Sequence, residues 1–126
     1  MRILGIDYGT KRVGVALSDE SRKFALPLVV LKNTEGLMAE VVELTKKHGV
    51  DLIVIGESRK NDMTPNSILP SILAFKEKLE SVNVKTVLEL EFMTSQQAER
   101  LQGKNDKLDA SAAALILQAY LDRDHA

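Results

Sequence analysis

The chain contains no cysteine and no tryptophan in its 126 residues. Without thiols there is neither a disulfide nor a thiolate metal site, so any bound metal must be held by oxygen or imidazole. Imidazole is itself scarce, since His48 and His125 are the two histidines. No apolar run approaches the ~20 residues of a membrane span. Met1-Arg2 leads directly into a strand pattern rather than into a signal peptide. A cytoplasmic protein without a membrane partner is therefore expected. An excess of charge is missing too: 17 Lys and Arg against 18 Asp and Glu leave a net charge of -1. Binding to a polyanion would have to come from a local basic patch and metal ions, because the whole molecule offers no attraction. Repeats, low-complexity tracts and linkers are also lacking, so residues 1–126 read as a single domain. With 44% apolar residues, it is long enough to bury a proper core.

What is present begins with Ile3-Leu-Gly-Ile-Asp-Tyr-Gly-Thr-Lys-Arg-Val-Gly-Val-Ala-Leu-Ser18. Two apolar runs flank a polar turn, the pattern of an antiparallel hairpin. Gly9 is a residue able to take positive φ in that turn, and Gly5 and Gly14 leave the backbone open to close approach. Ala25 to Leu31 reads as a third strand, at a sheet edge because of Pro27. Thr34 is expected to cap a helix ending at His48 and Gly49, with Leu37, Val41, Val42 and Leu44 at helical spacing. Asp51-Leu-Ile-Val-Ile-Gly56 has the continuous apolar character of a central strand. A helix from Asn66 or Ser67 to Glu80 follows, then a strand from Val82 to Leu90. A short helix from Thr94 to Leu101 and a final, alanine-rich helix from Asp106 or Lys107 to Tyr120 complete the chain. Right-handed crossovers then give an α/β fold: a mixed five-stranded sheet of order 3-2-1-4-5 with helices on both faces. That is a ribonuclease H-like architecture.

In such sheets chemistry gathers beyond the carboxyl ends of the parallel strands. Asp7 ends strand one, Glu57 strand four and Glu91 strand five, while Asp109 falls in the first turn of the last helix. Neighbouring strands lie about 4.8 Å apart, so acids on strands one and four can share metals spaced ~3.5–4 Å, the arrangement of two-metal phosphodiester hydrolysis. Each acid also has a plain structural reading. Asp7 can bond its own turn, and Asp106 with Asp109 can cap a helix. Glu89 with Glu91 can decorate an exposed edge, and Glu57 can start a loop. His48 is expected to complement the end of its helix. Convergence of four acids from separate segments favours a site.

Asp7-Tyr-Gly-Thr-Lys-Arg-Val-Gly-Val-Ala-Leu-Ser-Asp19, Val54-Ile-Gly56 and Asp109-Ala-Ser-Ala-Ala-Ala-Leu-Ile-Leu-Gln118, followed by Tyr120-Leu121, closely resemble the YqgF family. That family is also called RuvX or Holliday junction resolvase-like, and is described as pre-16S rRNA nucleases. The resemblance spans the whole chain. It implies a ribonuclease H-like fold, dependence on Mg2+ or Mn2+, and structured RNA or branched DNA as substrate. Ribosomal precursor particles are implied partners, with the protein a monomer or homodimer. Asp7, Glu91 and Asp109 would be the catalytic metal ligands, with Glu57 as an extra or substitute one. Two departures stand out. Where the family usually reads Gly-Leu-Pro after strand four, this chain has Gly56-Glu-Ser58. Where it usually reads Asp-Glu-Arg-Leu-Thr-Thr, this chain has Leu90-Glu-Phe-Met-Thr-Ser95. Glu91 keeps the family glutamate, whereas Glu57 sits where RuvC resolvases carry a strand-four glutamate.

Lys11, Arg12, Arg59, Lys60, Lys104 and Lys107 fall on loops near the acidic edge and are candidates to neutralise phosphates locally. Tyr8 and Phe92 are candidates for stacking on unpaired bases. The expectation is thus a metal-dependent endonuclease acting on pre-16S rRNA ends or junction DNA. One rival is a catalytically weak or inactive nucleic-acid-binding or ribosome-assembly module. A small ATP-binding protein shares the opening hairpin but would need a second domain to enclose the nucleotide.

Overall fold

The computed structural model describes residues 1–56, 69–89 and 108–124, apart from the side chains of Leu69, Leu108, Asp109 and Asp124. Strands β1 (Arg2–Tyr8), β2 (Arg12–Ser18), β3 (Ala25–Lys32), β4 (Val50–Gly56) and β5 (Thr86–Glu89) alternate with helices α1 (Leu37–His48), α2 (Leu69–Ser81) and α3 (Leu108–Asp124). The sheet has the order β3-β2-β1-β4-β5. β1 runs antiparallel to β2 and parallel to β4, and β4 runs parallel to β5. This is the expected ribonuclease H-like sheet. The helix expected over 94–101 lies outside the described residues, as do the starts expected for the second and last helices.

Strand alternation divides the core between two faces. Leu4, Ile6, Val13, Val15, Ile53 and Ile55 pack with Leu37 and Val41 of α1 and with Ile72, Phe75 and Leu79 of α2. On the other face Ile3, Ala16 and Val54 meet Ala113, Ile116, Leu117 and Leu121 of α3. Alanine lets α3 sit close to the sheet. A Cβ added at Gly5 would lie 2.7 Å from the Leu117 Cβ and 3.1 Å from the Ala113 carbonyl.

Several boundaries differ from expectation, each for a local reason. α1 starts at Leu37, not at Thr34. Residues Thr34–Gly36 close a turn in which Leu37 N donates to the Thr34 carbonyl, and the Thr34 hydroxyl accepts from Gly36 N. The helix does end at Gly49, in the left-handed region at φ 65°, with its N–H donating to the Thr45 carbonyl. β5 begins at Thr86 because the preceding residues finish α2. Asn83 takes φ 66°, Asn83 N donates to the Glu80 carbonyl, and Val84 N donates to the Leu79 carbonyl. That is a Schellman cap with asparagine in the glycine position. Pro27 sits on an outer strand as expected, at a register shift beside Ala16. Gly9 does not take positive φ. It is glycine for space, since a Cβ there would meet the Arg12 carbonyl at 2.5 Å.

Gly5→Val should therefore act as overpacking between β1 and α3, lowering unfolding free energy by about 1–3 kcal/mol or more. Urea denaturation measures it, and an unchanged midpoint would mean that α3 does not approach β1 this closely.

A candidate active site at the carboxyl ends of the parallel strands

Asp7 occupies the next-to-last position of β1 and is only 7% exposed. It lies on the same face as Ile3 and Gly5, the face covered by α3. Its two sheet neighbours are both glycines, Gly14 on β2 and Gly56 on β4. Along this row neither flanking position carries a side chain of its own. A carboxylate is the kind of oxygen donor that suits a hard divalent cation.

α3 runs toward the amino end of β1. Gln118 binds the start of β3, accepting from Ala25 N and donating to the Lys23 carbonyl, whereas Ala113 lies over Gly5. Followed back from Gln118 through Ala113, the helix heads for the carboxyl edge. The backbone of Asp109 lies one turn further, about 6 Å along the axis. Asp7 and the first turn of α3 thus share one edge of the sheet. His48 ends α1 just before Gly49 and β4, at the opposite edge, and is removed from this site.

The same row continues to Glu89, a residue that the sequence pattern also allows at an exposed edge. Glu89 pairs with Gly56 at the end of β5, yet it is buried, 4% exposed. Its Oε1 accepts from Arg123 Nη2 at 2.6 Å. A Cβ added at Gly56 would meet Ile116 methyls at 3.0 and 3.1 Å. Ile116 therefore fills the space between Glu89 and Asp7, and Glu89 ties the last turn of α3 to β5 instead of joining Asp7. This pair, with the Gln118–Asp122 hydrogen bond, accounts for α3 continuing past Tyr120 to Asp124. Nothing in the sequence relates two positions 34 residues apart, so their pairing was not legible there.

Lys11 and Arg12 are exposed at the β1–β2 turn, beside Asp7's edge. Asn33 holds that turn: its Nδ2 donates to the Gly9 carbonyl at 2.7 Å and its N to the Lys11 carbonyl at 2.9 Å. Tyr8 does not present its ring for stacking. It lies on the opposite face from Asp7, half-buried against Phe75 with ring centroids 5.3 Å apart. Glu57, Arg59, Lys60, Glu91, Phe92, Lys104 and Lys107 lie outside the described residues, and the side chain of Asp109 does as well. Among the described residues no three acidic or histidine side chains gather into a metal-binding group.

A mixed sheet of this order, with an acid on its central strand and a helix laid across that acid's face, defines a ribonuclease H-like domain. Solved structures of similar fold include Thermus thermophilus RuvC in complex with a Holliday junction substrate, with a TM-score of 0.60 at 14% identity, covering 99% of this chain and 96% of that one. The fowlpox virus Holliday junction resolvase gives 0.59 at 18% identity, with both chains fully covered. Residues 1–123 match the model of the RuvX family, described as Holliday junction resolvase, and the chain belongs to that family. It is 37% identical to a Chlorobaculum tepidum protein named "Putative pre-16S rRNA nuclease", over 96% of this chain and 93% of the relative. A Streptococcus uberis protein of the same name is 36% identical, over 98% and 99% of the two chains. The resemblance drawn from the opening and closing motifs is thus borne out.

The Glu89–Arg123 pair gives a direct test of the described geometry. Arg123→Ala leaves a buried carboxylate without its partner and should cost about 1–3 kcal/mol. Replacing both residues together, with Glu89→Met and Arg123→Leu, should recover much of that loss. Thermal unfolding of the parent and the two variants checks it, and equal stability of Arg123→Ala and the parent would contradict the pairing.

Proposed function

We propose that the chain is a metal-dependent endonuclease that hydrolyses phosphodiester bonds in structured RNA or branched DNA, with pre-16S rRNA ends or a four-way junction as substrate. The observation that carries this reading is the buried Asp7 at the carboxyl edge, between two glycines and beneath α3, in a chain of the RuvX family. The names of its relatives, which specify pre-16S rRNA, support the RNA arm of the proposal. The fold shared with junction resolvases leaves the DNA arm worth testing beside it. We read residues 1–126 as one catalytic domain working in the cytoplasm, where ribosomal precursors are made. No helix among the described residues is long and apolar enough to cross a membrane.

The chemistry follows from the residue types. Asp7, Asp109 and Glu91 would hold Mg2+ or Mn2+, with Glu57 assisting. When bound, such a cation neutralises phosphate charge and lowers the pKa of water. Asp7 contributes a carboxylate fixed by β1 and buried from bulk water, so its charge acts at reduced dielectric. Ile116 keeps Glu89 apart from this group. Lys11 and Arg12 flank the edge on the β2 side, while Arg59, Lys60, Lys104 and Lys107 belong to the segments that follow β4 and β5. They would neutralise phosphates next to the scissile bond. No histidine of the described residues stands at this edge, so proton removal falls to the acids and solvent.

Asp7→Asn keeps size and hydrogen bonding while removing the charge. Cleavage of rRNA precursor and four-way junction substrates with manganese should fall roughly a hundredfold or more, with the circular dichroism of the fold unchanged. Full activity in the folded variant would remove the site. Of the two glutamates, Glu91→Gln should abolish cleavage and Glu57→Gln should only weaken it. The opposite ranking would point to a RuvC-like ligand set.

A further inference from the structure

Arg12 and Lys32 stand directly opposite each other on β2 and β3, and both are exposed. Like charges in that position oppose strand pairing, so the pairing of β2 with β3 does not account for Lys32. Their neighbours Val13 and Leu31 turn toward the α1–α2 core. Alternation therefore puts Arg12 and Lys32 on the other face, with Gly14 and Asp7. Register sets their distances from the acid. Arg12 is one strand across and two residues along from Asp7, and Lys32 is one strand further. With strands about 4.8 Å apart and a rise of about 3.4 Å per residue, the Cα separations from Asp7 are roughly 8 and 12 Å. The end of β3 is fixed against the Arg12 turn by Asn33, through both its backbone and side-chain N–H groups.

We infer that Arg12 and Lys32 form a phosphate track, leading the backbone of the bound nucleic acid from Asp7 across β2 to the outer edge of β3. Lys32 is the new member, on an outer strand that carries no other part of the site. The inference rests on the nuclease reading and adds to it a direction: the flanking strand leaves over β2 and β3. Lys46 and Lys47, in the last turn of α1, are at the opposite edge of the sheet and serve as internal controls.

The test is binding, free of turnover. A fluorescent rRNA precursor hairpin and a fluorescent four-way DNA junction are titrated in EDTA at several salt concentrations. The proteins are the parent, Lys32→Gln, Lys32→Arg and Lys47→Gln. Lys32→Gln should flatten the slope of log affinity against log salt by about 0.7–0.9, Lys32→Arg should retain it, and Lys47→Gln should match the parent. A slope for Lys32→Gln equal to the parent's, on a probe the parent binds and cleaves, overturns the track and leaves the nuclease intact. A parent that neither binds nor cleaves either probe overturns the nuclease reading and the track with it.

Discussion

The close approach of α3 to β1 at Gly5 is the contact on which the rest of this molecule depends. Leu117 and the Ala113 carbonyl occupy the space a side chain would need there, and interiors packed at crystal density leave no slack to absorb one. The contact fixes the height of α3 above the sheet and hence how deeply Asp7 is covered. Gly56 repeats the arrangement one strand over, beneath Ile116. Two glycines and a run of alanines thus do by absence what larger residues could not. They bring a helix carrying Asp109 down onto the strand that carries Asp7.

This packing also explains why two acids in one row have different fates. Asp7 and Glu89 are both buried, in register through Gly56. Glu89 has a cation within 2.6 Å, supplied by Arg123, and an isoleucine between it and its neighbour. A paired carboxylate in an apolar surround is a structural fastener. Asp7 stands where the strand ends, the hairpin turns and the last helix starts. That is the edge at which chemistry gathers in open sheets with parallel strands. The fastener and the site share α3, one at each end of the helix.

Much of this was legible in the sequence, for reasons that can be named. The hairpin, the continuous apolar run of β4 and the α1 stripe follow from periodicity. The sheet order follows from the handedness of crossovers, and the resemblance carried in the first and last motifs agrees with it. Less legible were features set by long-range packing. Thr34 looks like a helix cap, yet its hydroxyl serves the turn before the helix. Val82 to Val84 look like strand, yet they complete the cap of α2. Tyr8 looks like a stacking platform until Phe75 is found against it. Glu89 and Lys32 had no local signal at all, because their meaning comes from residues paired with them across the sheet or from the last helix.

We propose the carboxyl edge around Asp7 as a divalent-metal site serving phosphodiester hydrolysis. Crystals of the whole chain grown with manganese, examined by anomalous diffraction at the manganese edge, test it most directly. An anomalous peak is expected in contact with the Asp7 carboxylate, between the end of β1 and the first turn of α3, with loss of that peak in Asp7→Asn crystals. Manganese bound elsewhere in the parent, or an unchanged peak in the Asp7→Asn variant, would contradict it.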